Sequence, residues 1–479
     1  MSQSQPNIVM IMVDEMRGDA MGFAGHPDVK TPHLDTLATR GVYYPNAYSA
    51  CPTCIAARAI LMTGMTTRHT GRTGYQDGVP WNYPYTLAGE LSKAGYYTQC
   101  VGKMHVHPLR RMLGFHSIEL HDGHLHYYRR ENRSRAESQQ LADDYYYWLR
   151  KEKGVDCDVN DTGMDCNSWL VRPWPYEEKY HPTNWVTDRS IDFLRRRDRD
   201  MPFFLMASYV RPHAPYDPPQ AFLDMYINKD LRPPFCGDWN DRERLKKRGR
   251  IYDNTCGPID PELIRRQQAG YYALITHMDY QIGRLISALG EAEVMDNTII
   301  LFCSDHGELL SDHCYNRKAL PYRGSANIPM ILCGPEKWVG KPRTDERLVE
   351  LRDVMPTFLS FAGAPVPPTV EGESMLAPNP DRPYLHGEHL FEEDSVQFIV
   401  TKEDKFIWFS SQMKEQYFRL DIDPEERVNR IHAPEYQERI AQMRLWLAQE
   451  LEGREEGFSD GHQLLSGSRP RATASWLES

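Results

Sequence analysis

Five short apolar runs constrain the fold of this chain more than any other feature of its sequence. Each run is rich in β-branched and aromatic residues, as buried strands are. The runs cover residues 7–13, 96–102, 202–210, 297–305 and 328–334. Helical patterns alternate with them, namely HLDTLATRG, TLAGELSKAG, TDRSIDFLRRR, the long stretch beginning DPELIRRQQ, and LRDVMPTFLSFAG. This alternation predicts an α/β fold with a large, mostly parallel sheet covered by helices on both faces.

The pattern changes after residue 370, and we place a domain boundary there. The stretch SVQFIVTKEDKFIWFSSQMKEQYFRLD predicts antiparallel hairpin strands, and APEYQERIAQMRLWLAQELEG predicts one amphipathic helix. We therefore expect a large α/β domain at 1–370 and a smaller α+β domain with an antiparallel sheet and one helix at 371–479. Residues 106–185 interrupt the alternation, and we expect an insertion lobe near the pocket there.

Charge and cysteine content exclude several classes of protein. The 479 residues carry a formal net charge of -11 at pH 7, which argues against nucleic acid as a partner. The first apolar run is short and no basic segment precedes it, so we expect neither a signal peptide nor a membrane span. Ten scattered cysteines fit reduced thiols and predict a cytoplasmic location. The irregular tail from Glu455 fits either disorder or an arm for homo-oligomerisation.

Acidic side chains follow two of the predicted strands. Asp14 and Glu15 close the first strand, and Asp305 and His306 close the strand TIILFCS. Ligands of parallel sheets bind beyond the carboxyl ends of the strands, so we expect these side chains to meet. Taken singly, either stretch fits a capped turn or a solvated loop equally well. Together they favour a site for Ca²⁺, Mg²⁺ or Mn²⁺ rather than structural zinc.

Cationic and imidazole side chains occur at the same position on neighbouring strands. GKMH brings Lys103 and His105 after the run at 96–102, and VRPHAPYDPP brings His213 after the run at 202–210. Lys318 follows SDHGELLSDH. Each residue alone is common on surfaces or in cores. Their recurrence at several strand ends indicates a shared site.

The stretch CPTCIAARAILMTG, residues 51–64, allows two chemistries for Cys54. CPTC before a helical pattern meets the local condition for a redox dithiol, because a helix N-terminus lowers a thiol pKa. Thioredoxin-like folds are small, however, whereas this pair would lie in a much larger sheet protein beside acidic residues. A zinc site lacks a second Cys-x-x-Cys pair. A non-enzymatic metal-binding or dithiol redox protein is the alternative from another class.

Counted from Cys54, the same stretch resembles the signature of the type I sulfatases. That signature has a cysteine, Pro or Ala two residues on (here Ala56), Arg four residues on (Arg58), and a closing Thr-Gly (63–64). Other segments resemble the family in its own order: PNIVMIMVDEMR, TPHLDTLATRGVYYPNAYS, GKMH, PHAPYDPP, SDHGELLSDH and YFRLDIDPEERVN. The resemblance covers most of the chain. It implies the alkaline-phosphatase-like fold and an arylsulfatase-like activity on a small-molecule sulfate monoester.

The resemblance also implies a modified nucleophile. In this family a separate maturation enzyme oxidises the cysteine to Cα-formylglycine, whose aldehyde is hydrated to a gem-diol. One hydroxyl of the diol would attack the sulfate, and the other, once deprotonated, would expel it by C–O cleavage. A serine would be left as a stable sulfate ester, so the diol provides a nucleophile that releases itself.

A metal site follows from the same resemblance. Asp14, Asp305 and His306 would bind one divalent cation together with the oxygen of residue 54, which is Cys54 before modification. Glu15, where many relatives carry a second Asp, is a further candidate ligand. We expect Ca²⁺, with Mg²⁺ and Mn²⁺ as alternatives. The cation would act as a Lewis acid on the nucleophile.

The resemblance also implies roles in sulfate transfer for the remaining site residues. Arg58, one helical turn beyond residue 54, would hold the gem-diol. Lys103 and Lys318 would neutralise the sulfate oxygens. His105 would take the proton that triggers release of sulfate, and His213 would donate a proton to the leaving oxygen.

Several features of the substrate stay open. The Asp-His pair at 305–306 and Ala56 also occur in relatives that look like phosphonate monoester hydrolases and choline sulfatases, so a phosphonate monoester or phosphodiester hydrolase is the alternative on this scaffold. Four tryptophans fit either an aromatic wall for an aryl, steroid or sugar group or a small core of the insertion. They are Trp148, Trp169, Trp174 and Trp185. His386 and His389 are candidates to reach the pocket from the C-terminal domain.

Overall fold

The structure is a computed structural model. It describes residues 5–124, 143–241, 245, 255–256, 260–378, 382–391, 395–467 and 470–478. Its strands are, in chain order, β1 (Asn7–Asp14), β2 (Val42–Tyr43), β3 (Ala47–Tyr48), β4 (Tyr97–Gly102), β5 (Ser117–Leu120), β6 (Phe203–Pro212), β7 (Thr298–Ser304), β8 (Met330–Cys333), β9 (Arg343–Thr344), β10 (Val349–Glu350), β11 (Leu385–His389), β12 (Val396–Val400), β13 (Asp404–Phe409) and β14 (Lys414–Arg419).

The main sheet has eight strands in the order β5-β4-β6-β1-β7-β8-β2-β9. The strands from β5 to β7 pair in parallel. β8 runs antiparallel to both of its neighbours, β7 and β2. All five apolar runs of the sequence form strands of this sheet, and the prediction of a mostly parallel sheet is confirmed.

Helices cover this sheet. They are α1 (Pro32–Arg40), α2 (Cys54–Thr63), α3 (Thr67–Thr70), α4 (Leu87–Lys93), α5 (Asp144–Glu152), α6 (Pro182–Arg196), α7 (Gln220–Leu223), α8 (Pro261–Glu291), α9 (Arg323–Ala326), α10 (Glu336–Val339), α11 (Val354–Ala362), α12 (Gln437–Glu450) and α13 (Ser475–Glu478). Within the described part of the chain, every helix is too short or too polar to cross a lipid bilayer.

The alternation of side chains along β1 explains why both faces are covered. Met10 lies in register with Met206 of β6 and Leu301 of β7, and all three join one apolar cluster with α2, α4 and α11. Ile11 points to the other face and joins a second cluster with α1, α6 and α8. Successive side chains of a strand point to opposite faces, so a strand that is apolar throughout needs a helical layer on each side. The predicted arrangement of helices is confirmed.

The C-terminal sheet is antiparallel, in the order β11-β12-β13-β14. One face packs on α12, where Phe406 and Trp408 of β13 meet Met443 and Leu447. The other face joins a cluster with residues near the main sheet, among them Tyr322. The antiparallel sheet and its single long helix are confirmed, whereas the boundary near residue 370 stays a prediction.

The tryptophans of 106–185 belong to a core. Trp169, Trp174 and Trp185 are 8%, 5% and 2% exposed and lie in the cluster between the sheet and α6 and α8, and Trp148 packs against that cluster. The interpretation as an aromatic wall of the pocket is wrong, because packing has covered these rings. In the same segment, β5 pairs with β4 at the edge of the main sheet. Residues 125–142 lie outside the described residues, and the insertion lobe stays a prediction.

Candidate active site

The carboxyl ends of four neighbouring strands meet at one edge of the main sheet. Asp14 ends β1, Lys103 follows β4, His213 follows β6 and Asp305 follows β7. Because β4, β6, β1 and β7 are adjacent in the sheet, residues far apart in the chain become neighbours in space. All four side chains are buried. The structure thus brings together the strand-end residues that the sequence singled out.

Helix α2 places Cys54 in the middle of this cluster. The helix spans Cys54–Thr63, and Gly64, which follows it, adopts the left-handed conformation that commonly terminates helices. The sulfur of Cys54 lies 3.2 Å from His306 Nε2, 3.6 Å from Asp14 Oδ1 and 3.5 Å from Lys318 Nζ. Residue 54 therefore contacts both the candidate metal ligands and a candidate sulfate-binding cation.

Arg58 lies one helical turn beyond Cys54 and is fully buried. Its Nε donates to Asp305 Oδ2 at 2.9 Å, and its Nη1 donates to the carbonyl of Lys103 and to Ser208 Oγ, at 2.8 and 3.0 Å. Arg58 thus links α2 to the residues that follow β4 and β7 and to the interior of β6. Its predicted contact with the nucleophile stays a prediction. Ser208 was missed at the sequence level, because a serine inside a strand carries no local signal.

Asp14 is held in its charged form. Burial alone would raise its pKa, but the charges of Lys103, His213, Lys318 and Arg58 outweigh burial and lower the pKa well below its usual range. Lys103 donates a short hydrogen bond to Asp14 Oδ2. The carboxylate is therefore ionised at neutral pH, as a ligand of a divalent cation must be.

Glu15 occupies a different electrostatic setting from Asp14. Its backbone has a positive φ of 72°, which turns the chain so that its N–H donates to Asp305 Oδ1 at 3.2 Å. Its carboxylate lies 3.2 Å from His213 Nε2 and 3.3 Å from Lys318 Nζ. Burial raises the pKa of Glu15 to about 7. Glu15 therefore faces the candidate proton donor, and with Asp14 and His213 it also forms a second group of possible ligand atoms within 4.8 Å of one another. Its role as a metal ligand stays a prediction.

The donor set around residue 54 fits a hard divalent cation. Asp14, Cys54, Asp305 and His306 each offer one ligand atom, and these four atoms lie within 4.8 Å of one another. His306 Nδ1 lies 3.0 Å from the carbonyl oxygen of Gly307, to which it can donate, and this leaves Nε2 as a lone-pair donor facing the cluster. Carboxylate oxygens with one imidazole suit Ca²⁺, Mg²⁺ or Mn²⁺.

The two cysteines of CPTC differ in their surroundings. Burial, with the nearby Asp14 carboxylate, raises the pKa of Cys54 to about 12. Burial also raises the pKa of Cys51 well above its usual value, and Cys51 lies in the apolar cluster with α2. A redox dithiol needs a lowered thiol pKa. The local condition that favoured a dithiol in the sequence is therefore cancelled by burial.

A cavity of about 500 Å³ opens above this cluster. Cys54, Lys103, His105, His213 and Lys318 line it. His105 has a positive φ of 59°, and its backbone N–H donates to the carboxylate of Asp122 at 3.0 Å. The predicted transfer residues thus share one cavity with residue 54. The volume is within the range of small-molecule sites.

Other parts of the chain complete the lining of this cavity. His389 lies in the lining, as proposed, whereas His386 is hydrogen-bonded to Gln397 Oε1 at 2.8 Å and is not among the described lining residues. The sequence analysis missed several lining residues, namely Tyr75, Asp122, His124, Asp165, Cys166, Asn167 and Phe391. The fragment HDGH was the one available signal for Asp122 and His124. The others stand in loops without a recognisable pattern.

Comparisons with known proteins agree with this geometry. A family model described as Sulfatase matches residues 6–364, and one described as N-sulphoglucosamine sulphohydrolase, C-terminal, matches residues 311–453. An arylsulfatase of Clostridium perfringens is 50% identical over 470 residues, which cover 97% of this chain and 98% of that protein.

Solved structures share the fold at low sequence identity. The structure of BT4656 in complex with its substrate D-glucosamine-2-N,6-O-disulfate has a TM-score of 0.74 at 22% identity and covers 94% of this chain and 98% of its own. The phosphonate monoester hydrolase of Agrobacterium radiobacter has a TM-score of 0.75 at 23% identity, with coverages of 91% and 93%. Both confirm the α/β architecture with its added antiparallel sheet.

Proposed function

The chain belongs to the sulfatase family and hydrolyses sulfate esters, and from this premise we propose that it uses a formylglycine at position 54 and one divalent cation. The position of residue 54 carries this proposal. Residue 54 begins α2. The sulfur of Cys54 lies 3.2 Å from His306 Nε2, 3.6 Å from Asp14 Oδ1 and 3.5 Å from Lys318 Nζ. The thiol itself, with a pKa of about 12, is a poor nucleophile at neutral pH.

The proposed reaction needs a modified side chain at residue 54 and a bound divalent cation. Formylglycine, made from Cys54 by a maturation enzyme, would supply the hydroxyl of a hydrated aldehyde as nucleophile. A divalent cation, Ca²⁺ first among the candidates, would supply Lewis-acid stabilisation of negative charge. Asp14, Asp305 and His306 would hold the cation, and Arg58 positions Asp305 through its hydrogen bond of 2.9 Å.

Two buried lysines bind the sulfate in this proposal. Burial alone would lower the pKa of Lys103 and of Lys318, but in the unmodified chain nearby acidic groups outweigh burial and raise both values. These groups are Asp14 and Cys54 for Lys103, and Cys54, Glu15 and Asp14 for Lys318. Both ammonium groups therefore stay charged over the working pH range. They line the cavity beside residue 54, where the oxygens of a bound sulfate would meet them.

Two histidines move protons in this proposal. His213 Nδ1 lies 2.6 Å from the carbonyl oxygen of Ala214, so Nδ1 holds a proton and Nε2 faces Glu15 Oε2 at 3.2 Å. Burial, together with the charge of Lys318, lowers the pKa of His213 well below its usual value, so a proton placed on Nε2 would pass readily to the leaving oxygen. Glu15, whose pKa burial raises to about 7, lies within hydrogen-bond distance of that nitrogen. His105, in the lining of the same cavity, would accept the proton that residue 54 gives up.

We also propose a class of substrate and a cellular location for the enzyme. An aryl, steroid or sugar sulfate fits a cavity of about 500 Å³, and the arylsulfatase relative supports this class. We keep a cytoplasmic location as a proposal, supported by ten unbridged cysteines. Homo-oligomerisation and the phosphonate or phosphodiester alternative stay predictions to be tested.

The mass of the peptide that contains residue 54 tests the proposed nucleophile. The protein is made with and without a formylglycine-generating enzyme, and sulfate release from 4-nitrophenyl sulfate is measured on both preparations. We expect an aldehyde or its hydrate, with activity in proportion to the modified fraction. An unmodified thiol in a fully active preparation would refute the proposal.

A further inference from the structure

Part of the irregular tail that begins at Glu455 lies against its own chain. Residues 471–476, which we call the tail segment, run beside residues 71–76, the loop that follows α3. Backbone hydrogen bonds join the two. Thr73 N–H and Gly74 N–H donate to the carbonyl of Ala472, both at 3.0 Å, and Ala474 N–H donates to the carbonyl of Gly71 at 2.8 Å. Such main-chain pairing fixes an extended segment in register.

Side chains add to this pairing. Thr73 Oγ1 donates to the carbonyl of Arg471 at 2.8 Å, and Thr473 Oγ1 donates to Gln76 Oε1 at 2.9 Å. Both threonines are buried. The tail segment therefore meets the polar groups of the loop with matched donors and acceptors, and it would expose both threonines to water if it left this place.

Trp476 lies directly on Gly71, where only a glycine leaves room for it. Gly71 has a positive φ of 70°, and a Cβ added to it would lie 2.7 Å from the ring carbon Cζ2 of Trp476. The Trp476 side chain is 53% exposed, so the loop covers about half of it and the rest faces water. A tryptophan ring that left this place would lose a large apolar contact.

The loop that the tail segment holds carries a residue of the reaction cavity. Tyr75 lines this cavity beside His105, and the centroids of the two rings lie 6.0 Å apart with an angle of 67° between the ring planes. The Tyr75 side chain is 41% exposed. A lining residue with this exposure lies at the mouth of the cavity, where the organic group of a substrate bound at residue 54 would pass.

The same loop supports a second aromatic residue of the cavity. The carbonyl of Thr73 accepts a hydrogen bond of 2.7 Å from the N–H of Leu390. The residue after Leu390 is Phe391, which is also exposed and also lines the cavity. The aromatic edge of the cavity therefore rests on one loop, and the tail segment holds that loop.

We propose that Tyr75 is a specificity-determining residue that contacts the organic group of the bound ester, and that Trp476 positions it by holding the loop. This inference rests on the proposed function, because it assumes that the sulfate binds beside residue 54. Trp476 is not among the described lining residues of the cavity, so it acts through the loop. The loss of either ring should weaken substrate binding more than it slows sulfate transfer.

The split between KM and kcat on 4-nitrophenyl sulfate tests the two roles. We expect Tyr75→Ala to raise KM about tenfold and to leave kcat within about twofold, since an apolar contact with the organic group is lost. Trp476→Ala should raise KM in the same direction by about three- to tenfold, whereas Trp476→Phe keeps a ring on Gly71 and should stay within about twofold of the parent enzyme. Tyr147→Ala, on the exposed side of α5, is the control and should change neither constant.

Inorganic sulfate separates lost contacts from a distorted site. It lacks an organic group, so its inhibition constant should stay within about twofold of the parental value in Tyr75→Ala and in Trp476→Ala. The double variant Tyr75→Ala/Trp476→Ala gives a further check. Because Trp476 acts through Tyr75, the KM of the double variant should lie within about twofold of that of Tyr75→Ala alone.

Trypsin measures the docking of the tail segment without any substrate. Cleavage after Arg471 releases a peptide that begins at Ala472, and it requires the tail segment to leave the loop first. Mass spectrometry follows the appearance of this peptide in the folded, full-length proteins. We expect Trp476→Ala to release it about tenfold faster than the parent protein and Trp476→Phe to release it at close to the parental rate.

Four results would overturn the inference. A parental KM in Tyr75→Ala would remove Tyr75 from the substrate. A parental KM in Trp476→Ala, with or without faster cleavage after Arg471, would show that Trp476 does not position Tyr75. A double variant whose KM reflects the product of both single losses, or an inhibition constant for sulfate that rises as much as KM, would indicate a general structural role. If the modified parent enzyme releases no sulfate from any sulfate ester, the proposed function fails and the role of Tyr75 falls with it, whereas trypsin still reports whether the tail segment docks.

Discussion

Burial decides how single residues behave in this site. Cys54 begins a helix, where a thiol would ordinarily be activated, yet its surroundings raise its pKa to about 12. Glu15 follows directly on Asp14, but burial raises the pKa of Glu15 to about 7, whereas the charges of nearby lysine and arginine side chains keep Asp14 ionised. Neighbouring residues of like chemistry thus acquire different charges, and different roles follow from them.

Substitution of the two cysteines separates the nucleophile from its neighbour. Cys54→Ala should abolish sulfate release, because no hydroxyl can be formed at residue 54. Cys51→Ser should keep activity within about threefold, because Cys51 only packs in the apolar cluster and such a change costs stability more than catalysis. The measurement is kcat/KM on 4-nitrophenyl sulfate with the mass of each variant's peptide. Equal losses of kcat/KM in both variants would support the dithiol interpretation instead.

Lys318 provides a test of sulfate binding. Lys318→Met keeps the side-chain stem and deletes the charge, and we expect kcat/KM to fall by about 10²- to 10³-fold, as for the loss of one group that stabilises developing charge. Lys337→Met, on the surface helix α10, is the control and should leave activity unchanged. A Lys318→Met enzyme with near-parental activity would remove Lys318 from the reaction.

At the scale of elements, strand β11 ties the C-terminal sheet to the start of α2. The N–H of Glu388 donates to the carbonyl of Ala50 at 2.7 Å. The carboxylate of Glu388 accepts hydrogen bonds from Arg454 at 2.7 Å and from Gln397 at 2.8 Å. The loop that leads to Cys54 is therefore anchored by a buried ion pair of the C-terminal region.

Breaking this ion pair should weaken the fold. Arg454→Met leaves the buried Glu388 carboxylate unpaired, and we expect a loss of about 3–5 kcal/mol in the free energy of unfolding. Arg419→Met breaks a partly exposed pair with Asp421 near the surface and should cost about 0–1 kcal/mol. Urea unfolding of both variants measures the difference. Equal losses in the free energy of unfolding of the two variants would show that the buried pair of Glu388 and Arg454 does not stabilise the fold more than the pair near the surface.

The same pair predicts a dependence on pH. Burial alone would raise the pKa of Glu388, but Arg454 outweighs burial and lowers it to about 2 from the usual 4.5. A lowered carboxyl pKa stabilises the fold fully above pH 4.5, and this contribution is lost as the pH falls towards 2. The Tm of the parent protein should therefore fall more steeply over this range than that of Arg454→Met. Parallel Tm curves would show that Glu388 does not contribute.

At the scale of the whole molecule, the proposed cation would bind residues at the ends of β1 and β7 together with residue 54 at the start of α2. Only the folded chain assembles Asp14, Asp305 and His306, so a cation that binds them stabilises the fold by mass action. Removal of cations with EDTA should abolish activity and lower the Tm, and added Ca²⁺, Mg²⁺ or Mn²⁺ should restore both. At a concentration 100 times the Kd, the gain is about 2.7 kcal/mol.

Asp14→Asn controls this measurement. The variant loses a ligand charge, so its Tm should respond far less to added cations than the Tm of the parent protein. A Tm that responds equally in both proteins would place the bound cation elsewhere, and a parent enzyme that keeps its activity in EDTA would exclude an exchangeable cation from the reaction.

The sequence predicted the sheet and its catalytic edge because both depend on local pattern. Each apolar run became a strand, and the residues that close those runs became neighbours once the strands paired in parallel. The resemblance of residues 51–64 to the sulfatase signature singled out Cys54, and a helix places Arg58, four residues on, on the same face as Cys54. These features are encoded within short segments, and they needed no knowledge of contacts between distant parts of the chain.

Only the tertiary structure decided the rest, because burial and long-range contact are not local properties. The tryptophans of 106–185 had the composition of a binding wall and proved to be core, since packing covered them. Phe391 and Gln416 lie far along the chain from Cys54 and line its pocket or a smaller cavity that adjoins it. The sequence by itself determined the strands and their polar ends and, through the resemblance, singled out Cys54 for the proposed modification. The packing of the C-terminal sheet, which no local pattern encodes, determined which distant residues line the cavities beside Cys54.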